Sequence, residues 1–347
     1  MQPVHIAVVG LGYWGPNLVR VLHELEDAEV VRICDRDPRA LAALHRRYPS
    51  VPAARSFEEV IADEEVEAVA IATPVGTHFE LALAALKAGK HVFVEKPLAD
   101  SSERAEQLGA EATRASRVLM PGHTFLYSPP VTLVRELLLE EALGEIYFVS
   151  MSRVNLGIHQ SDVSVAWDLG AHDFSILRYW FDDVPERVSA LSRSCILPGV
   201  ADIAFVNLQF GSGTLAHVEM SWLAPSKLRR TAIVGSEKMV VYDDTSNEPV
   251  RIFDSGVVLR DPQTFGEYRL TYRTGDIVSP RVDTTEPLAL ELQNFCEAVR
   301  GHVEPRSTVA LGTDVVRIIE AVERSLDEQG APVAVERARA STPESAD

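Results

Sequence analysis

Apolar positions over the first 122 residues recur in two alternating rhythms, short continuous runs and segments with the three-to-four spacing of an amphipathic helix. The runs Val4 to Val9, Glu29 to Cys34, Ala68 to Ala72, His91 to Val94 and Val118 to Met120 predict strands, with a shorter one near Pro52 to Ala54. Between them the spacing predicts helices over Pro16 to Leu22, Pro38 to Tyr48, Phe57 to Asp63, Phe79 to Ala88 and Ser102 to Ser116. Alternation of this kind predicts a parallel sheet with helices on its faces. Gly89, after Leu86-Lys87-Ala88, suits the left-handed position that stops a helix.

The rhythm then changes. After a helix over Val131 to Glu140 come longer strand-like runs: Ile146 to Val154, Arg187 to Ser194, Ala204 to Phe210, Thr214 to Trp222, Leu228 to Val234 and Met239 to Tyr242. Phe210-Gly211-Ser212-Gly213-Thr214 has the residues of a hairpin turn, and successive hairpins favour an antiparallel sheet. Two amphipathic patterns, Leu288 to Val299 and Gly312 to Leu326, follow it. The expected fold class is an α/β parallel-sheet domain over residues 1–122 and an α+β domain with an open, mostly antiparallel sheet over 123–337, its helices on one face. The C-terminal helices are free to pack back on the first domain. Residues 338–347 lack core side chains and read as a flexible tail. A sheet face left uncovered by helices predicts self-association as a homodimer or homotetramer.

Length agrees with two domains, since 347 residues exceed what one core serves. The formal charge of -18 excludes nucleic acid and an anionic membrane as main partners, because a polyanion would be repelled over most of the surface. Cys34, Cys195 and Cys296 are widely separated, so neither a disulfide framework nor a cysteine-rich metal site is expected. No signal peptide or membrane span is read, and the expected location is the cytoplasm.

The chemistry starts where the first strand runs into Gly10-Leu11-Gly12-Tyr13-Trp14-Gly15. Three glycines at a strand-to-helix junction allow a tight turn and a close approach of backbone to a pyrophosphate, with the helix N-terminus behind it. The second strand ends in Asp35, at the spacing of the acid that grips an adenosine ribose, so the first domain reads as a dinucleotide-binding Rossmann unit. Asp35 suits NAD and repels the 2'-phosphate of NADP; Arg36 would accept that phosphate if Asp35 turned away. Tyr13 and Trp14 either cover the pyrophosphate or pack under the helix. After the strand His91 to Val94 comes Glu95-Lys96-Pro97, at the carboxyl end of the sheet, where doubly wound folds bind ligands. The Lys96 ammonium there would favour a developing alkoxide; otherwise it is a solvated surface lysine. Asp168 and His172, four apart at the start of a helix, share a face on which a carboxylate orients an imidazole that acts as general base; the alternative is a structural histidine.

The ordered set of Gly10-Leu11-Gly12-Tyr13-Trp14-Gly15, Glu95-Lys96-Pro97, Gly122-His123-Thr124-Phe125, Asp168 with His172, and Glu286-Pro287-Leu288 closely resembles the Gfo/Idh/MocA oxidoreductase family over nearly the whole chain. The resemblance implies a pyridine-nucleotide Rossmann domain and a C-terminal domain that packs into dimers or tetramers through its sheet. It implies that Lys96 and His172 flank the carbon that exchanges hydride with the nicotinamide, that Asp168 assists, and that the Lys96-Pro97 peptide is cis. It also implies that Thr73, Pro74 and His78 line the cofactor alongside Glu95 and Lys96.

At the sub-family level Tyr13-Trp14-Gly15-Pro16-Asn17, His123-Thr124-Phe125-Leu126-Tyr127 and Trp167-Asp168-Leu169 look most like the branch acting at C3 of UDP-N-acetylglucosamine-type sugars, which shades into cyclitol dehydrogenases. The expected substrate is therefore a nucleotide-linked hexose, with a cyclitol as alternative. Arg153 and Asn155 are candidates for substrate contact, Arg153 either gripping a carboxylate or diphosphate or pairing with a structural acid. Leu156 to Val165, with Gly157, His159, Gln160 and Ser161, is expected to shape the pocket. Two other classes are weighed against the dehydrogenase: an NAD-dependent glycosidase, whose Gly-Gly-His signatures are absent, and a silent NAD-binding sensor, which has no need of Lys96, Asp168 and His172 together.

Overall fold

A computed structural model describes residues 2–157, 163–259 and 270–337. Six strands, β1 (Val4–Val9), β2 (Ala28–Cys34), β3 (Ala53–Ala54), β4 (Ala68–Ile71), β5 (His91–Glu95) and β6 (Leu119–Gly122), form a fully parallel sheet in the order β3-β2-β1-β4-β5-β6. This is the Rossmann order, and its crossovers carry α1 (Gly15–Glu24), α2 (Pro38–Arg47), α3 (Phe57–Ala62), α4 (His78–Lys87) and α5 (Ser102–Ala115). Helices on both faces explain why every residue of β4 is buried, the continuous apolar run of a covered parallel strand. The side chains of Asp37, Ser56 and Ser101 cap α2, α3 and α5 by accepting from the N–H groups of Arg39, Glu59 and Arg104. Gly89, at φ +76°, closes α4.

Beyond α6 (Pro129–Leu139) the chain enters a second sheet through β7 (Ile146–Leu156), leaves it for α7 (Ala171–Phe181), and returns through β8 (Arg187–Arg193), β9 (Ile203–Gln209), β10 (Leu215–Ser221), β11 (Leu223–Gly235), β12 (Met239–Asp243), β13 (Val250–Leu259) and β14 (Leu270–Val278). Then follow α8 (Pro287–Val299), α9 (Val309–Asp327) and the short β15 (Val333–Ala334). The order is β14-β13-β12-β11-β7-β10-β9-β8-β15, and every neighbouring pair is antiparallel except β7 with β10. The hairpin between β9 and β10 turns at Gly213, at φ +92°, with the Phe210 N–H donating to the Thr214 carbonyl.

The edge hairpin β13–β14 and the strand β15 were absent from the sequence reading. Apolar alternation in β13 and β14 is broken by Arg251, Asp254, Arg273 and Asp276, and side chains such as Tyr272 and Ile277 face outward. An ion pair between Arg273 and Asp254 joins the two strands across that edge. The expected tail, 338–347, lies outside the described residues. Among the described residues no helix is long and apolar enough to cross a membrane.

One face of the large sheet packs on helices while the other exposes Phe148, Leu191, Phe205 and Leu215. The two sheets are not separate cores. A single apolar cluster runs from Val4, Ile6 and Leu18 through Phe93 and Phe295 to Val149, Val206 and Val218. Helix α8 makes that link: Phe295 meets Phe93 of β5 edge-on, 5.8 Å between centroids, and Arg20 of α1 pairs with Glu286 at 2.6 Å. Phe295 is fully buried. Replacing it by alanine should lower stability by about 3–5 kcal/mol, read as a fall in the urea midpoint at unchanged slope.

Candidate active site

The turn after β1 shows why it needs glycine. A Cβ on Gly10, at φ +90°, would lie 2.7 Å from the Ala72 backbone, and one on Gly15 would lie 2.0 Å from the Gly10 carbonyl oxygen. A Cβ on Gly12 would meet nothing within 4 Å. Gly10 and Gly15 thus let the chain close on itself, and Gly12 faces open space. Helix α1 begins there with Pro16, which has no N–H, in its first turn and no side-chain cap, so the positive end of its dipole is left open to an anion. Asp35 is tied to this turn: Oδ2 accepts from the Leu11 N–H at 2.5 Å and Oδ1 from the Asp37 N–H at 2.7 Å. Its position at the end of β2 is therefore fixed by backbone, while Arg36 is exposed. These residues fit a dinucleotide pyrophosphate and ribose.

A cleft of about 270 Å³ opens beside the turn. Gly12, Tyr13 and Trp14 form one wall, Thr73, Pro74 and His78 another, and Glu95, Lys96 and Pro97 the floor. Tyr13 and Trp14 meet edge-on at 5.7 Å and are exposed, 73% and 37%, so neither packs under α1. His78 is buried, its ring nitrogens each 2.8 Å from a carbonyl oxygen, of Pro97 and of Thr73. It lies between the cis Lys96-Pro97 peptide and the turn after β4, and its neutral ring can donate to one of the two carbonyls. Thr73 accepts from the Thr77 hydroxyl at 2.8 Å.

Lys96 leaves the end of β5 and meets Asp168, donating to its carbonyl oxygen at 2.8 Å and to Oδ1 at 2.9 Å. The Asp168 Oδ2 accepts from the Trp222 indole N–H at 3.0 Å, and Trp222, just past β10, is buried. Residues Ala166–Gly170 wind as a π-helical turn before α7. The four-residue spacing of Asp168 and His172 thus does not pair them as expected: the carboxylate is held by Lys96 and Trp222.

His172 is half-buried against Phe125, edge-on at 4.9 Å, and its Nδ1 is enclosed with no partner. Burial holds its pKa well below the ordinary histidine value, helped by the charges of Lys96, Arg153 and Arg229, so the ring is neutral. Arg153 does not reach the cleft. It is buried in a salt bridge with Asp173, Nε 2.9 Å and a terminal nitrogen 2.8 Å from Oδ1, and stacks over Phe125 at 4.5 Å. The reason is local: a guanidinium on the inner face of β7 is desolvated, and the acid next to His172 neutralises it. Asn155 turns to the Leu156 carbonyl at 3.2 Å. In the expected pocket loop, Val163 lines the cleft, while His159, Gln160 and Ser161 lie outside the described residues.

Two family models match the chain, the Gfo/Idh/MocA oxidoreductase family with NAD-binding Rossmann fold over residues 4–123 and the Gfo/Idh/MocA C-terminal domain over residues 131–241. The chain belongs to the Gfo/Idh/MocA family. It is an NAD-binding oxidoreductase. A solved structure from Magnetospirillum magnetotacticum MS-1 shares 30% identity, covering 92% of this chain and 99% of that one, with a TM-score of 0.79. GenD2 from gentamicin A biosynthesis, solved in complex with NAD, is 25% identical over 97% of each chain, with a TM-score of 0.82. The myo-inositol 2-dehydrogenase of Thermotoga maritima is 25% identical over 94% of this chain and 97% of its own length.

The reading from sequence missed Trp222, Arg229 and Glu291 as neighbours of the site. Glu291 left a signal, an acid on the apolar stripe of a helix between Leu288 and Phe295. Trp222 left none, because only the crossing of β10 behind the π-helical turn brings it to Asp168. The glycine geometry separates two variants. Gly15→Ala should lower the melting temperature, because its Cβ strikes the Gly10 carbonyl; Gly12→Ala should melt as the native chain does yet bind NAD at least about tenfold more weakly (about 1.4 kcal/mol), measured by thermal unfolding and fluorescence titration.

Proposed function

We propose that this oxidoreductase transfers hydride between NAD and a ring secondary alcohol or ketone of a sugar, with C3 of a nucleotide-linked hexose as the specific position. One observation carries the reading. An ammonium has three protons, Asp168 takes two from Lys96, and among the described residues the third has no acceptor, at the floor of a cleft bounded by the glycine turn. Gly10, Gly12, Gly15 and Asp35 would hold the pyrophosphate and adenosine ribose, with the Asp35 carboxylate favouring NAD over NADP. When bound, the nicotinamide supplies the acceptor or donor of hydride.

The chain's own groups do the rest. Lys96 donates its remaining N–H to the substrate oxygen and stabilises the negative charge that gathers there. His172, kept neutral by burial and by the nearby cations, takes the hydroxyl proton. Asp168 acts through Lys96 as a positioning residue, its own orientation set by Trp222.

A cyclitol is the second reading. It draws on the inositol dehydrogenase relative and on the capture of Arg153 by Asp173, which removes from the cleft the side chain expected to hold a diphosphate. Lys96 and Asp168 at one cleft, with His172 one helical turn beyond Asp168, argue against a silent sensor. We further take residues 1–122 as the cofactor half and 123–337 as the substrate and oligomerisation half. The exposed row Phe148, Leu191, Phe205 and Leu215 supports assembly of two or four copies through the open sheet.

The test is incubation with NAD and a panel of UDP- and dTDP-hexoses, free hexoses and inositols, following the absorbance of reduced nicotinamide. Turnover with one class identifies the substrate, and none with any class removes the reading. Lys96→Ala and His172→Ala should each lower kcat by about 10²–10⁴-fold while the Kd for NAD stays within about two-fold; unaltered turnover in either variant removes that residue's role.

A further inference from the structure

Two buried carboxyl groups, one of them at the cleft, are not used by hydride transfer as described. Glu95 ends β5, and Glu291 sits on α8; their relative exposures are 7% and 0%. Glu95 lies two residues beyond Phe93, on the same face of its strand, and Glu291 lies one turn before Phe295, on the same face of its helix. The contact between Phe93 and Phe295 sets those two faces against each other, and the charge of Glu95 is felt at Glu291. One oxygen of each is engaged: Glu95 Oε2 accepts from the Lys96 backbone N–H at 3.3 Å, and Glu291 Oε2 accepts from the Thr124 hydroxyl at 2.6 Å. The other oxygen of each, Oε1, is buried with no partner.

The surroundings offer little positive charge. Lys96, next along the chain from Glu95, is already paired with Asp168. His123, which follows β6, is buried with both ring nitrogens unpartnered and is pushed down to about 3 by burial and by Lys96. His172 and His78 are likewise held below the ordinary value, chiefly by burial. Lys96 thus offsets Glu95, among the described residues no cation offsets Glu291, and two buried carboxylates that feel each other cannot both stay ionised on one such charge.

We propose that Glu95 and Glu291 hold one proton between their unpartnered oxygens, and that the resulting monoanion is a positioning device that anchors Lys96 at the cleft through its backbone N–H. Its catalytic consequence rests on the role proposed for Lys96; the shared proton does not. Glu291 is the protonated partner, raised well above the carboxylate range by burial and by Glu95, and its O–H donates to the Glu95 carboxylate. Glu95, raised to about 7 by burial, takes up a second proton as pH falls through that value. The pair is then neutral, and Lys96 keeps only Asp168 as counter-charge.

Infrared titration of the full chain without cofactor or substrate tests this, using glutamate labelled at its carboxyl carbon so that its bands separate from those of aspartate. A protonated-glutamate band should persist at alkaline pH and vanish in Glu291→Gln. A second should grow as pH falls through about 7 and be missing in Glu95→Gln. No protonated glutamate at alkaline pH in the native chain, which needs no variant to fold, overturns the proposal, as does a band that survives Glu291→Gln. With a substrate in hand, kcat/KM should fall on the acid side near the same pH, and Glu95→Gln should abolish that limb; a limb unmoved in this variant overturns the link to Lys96. Failure to find any substrate leaves the infrared result standing, so the two readings fail separately.

Discussion

The ion pair between Lys96 and Asp168 is the joint on which the site depends. Lysine at the end of a central parallel strand is largely removed from water, and a desolvated ammonium needs acceptors. Asp168, 72 residues further on, supplies two of them from the turn before α7. The same carboxylate reaches Trp222, so one side chain ties the parallel sheet, α7 and the second sheet together. What holds the fold at this point also aims the charge.

That charge sets the character of its neighbours. His78, His123 and His172 are all held below the ordinary histidine range, burial being the leading cause for each and Lys96 a contributor to all three. Neutral imidazoles add no positive charge beside the ammonium. Two of them differ in what they touch. His78 lies between two carbonyl oxygens and, when neutral, donates to one of them, whereas His172 keeps a buried ring nitrogen without a partner. Burial on the acid side has the opposite sign, raising Glu95 and Glu291, so the polar interior beneath the cleft carries less net charge than its composition suggests.

The parallel sheet was legible almost residue by residue. Its strands are covered on both faces, which turns them into uninterrupted apolar runs, and its turns need particular residues, such as glycine at positions 10, 15 and 89. The second sheet was legible only where one face is buried. Strands β7 to β12 alternate and were recognised, but the charged, exposed alternation of β13 and β14 carries no such imprint. Arg153 marks a similar limit. An arginine on a strand announces that it needs an anion, and only the packing of α7 across β7 decides that the anion is Asp173 instead of a ligand.

By itself the sequence determined the Rossmann half, the cofactor turn and the ordered motifs of the family, because each rests on contacts or backbone shapes spanning a few residues. Tertiary structure decided which charges meet. Asp168 binds Lys96 and not its helical neighbour His172, because a π-helical turn and the strand bearing Trp222 reorient its carboxylate. Glu291 joins Glu95 because α8 returns to cover β5 through Phe295 and Phe93. Pairings across 72 or 196 residues leave no local period to read, since they are set by which buried faces meet when two sheets share one core.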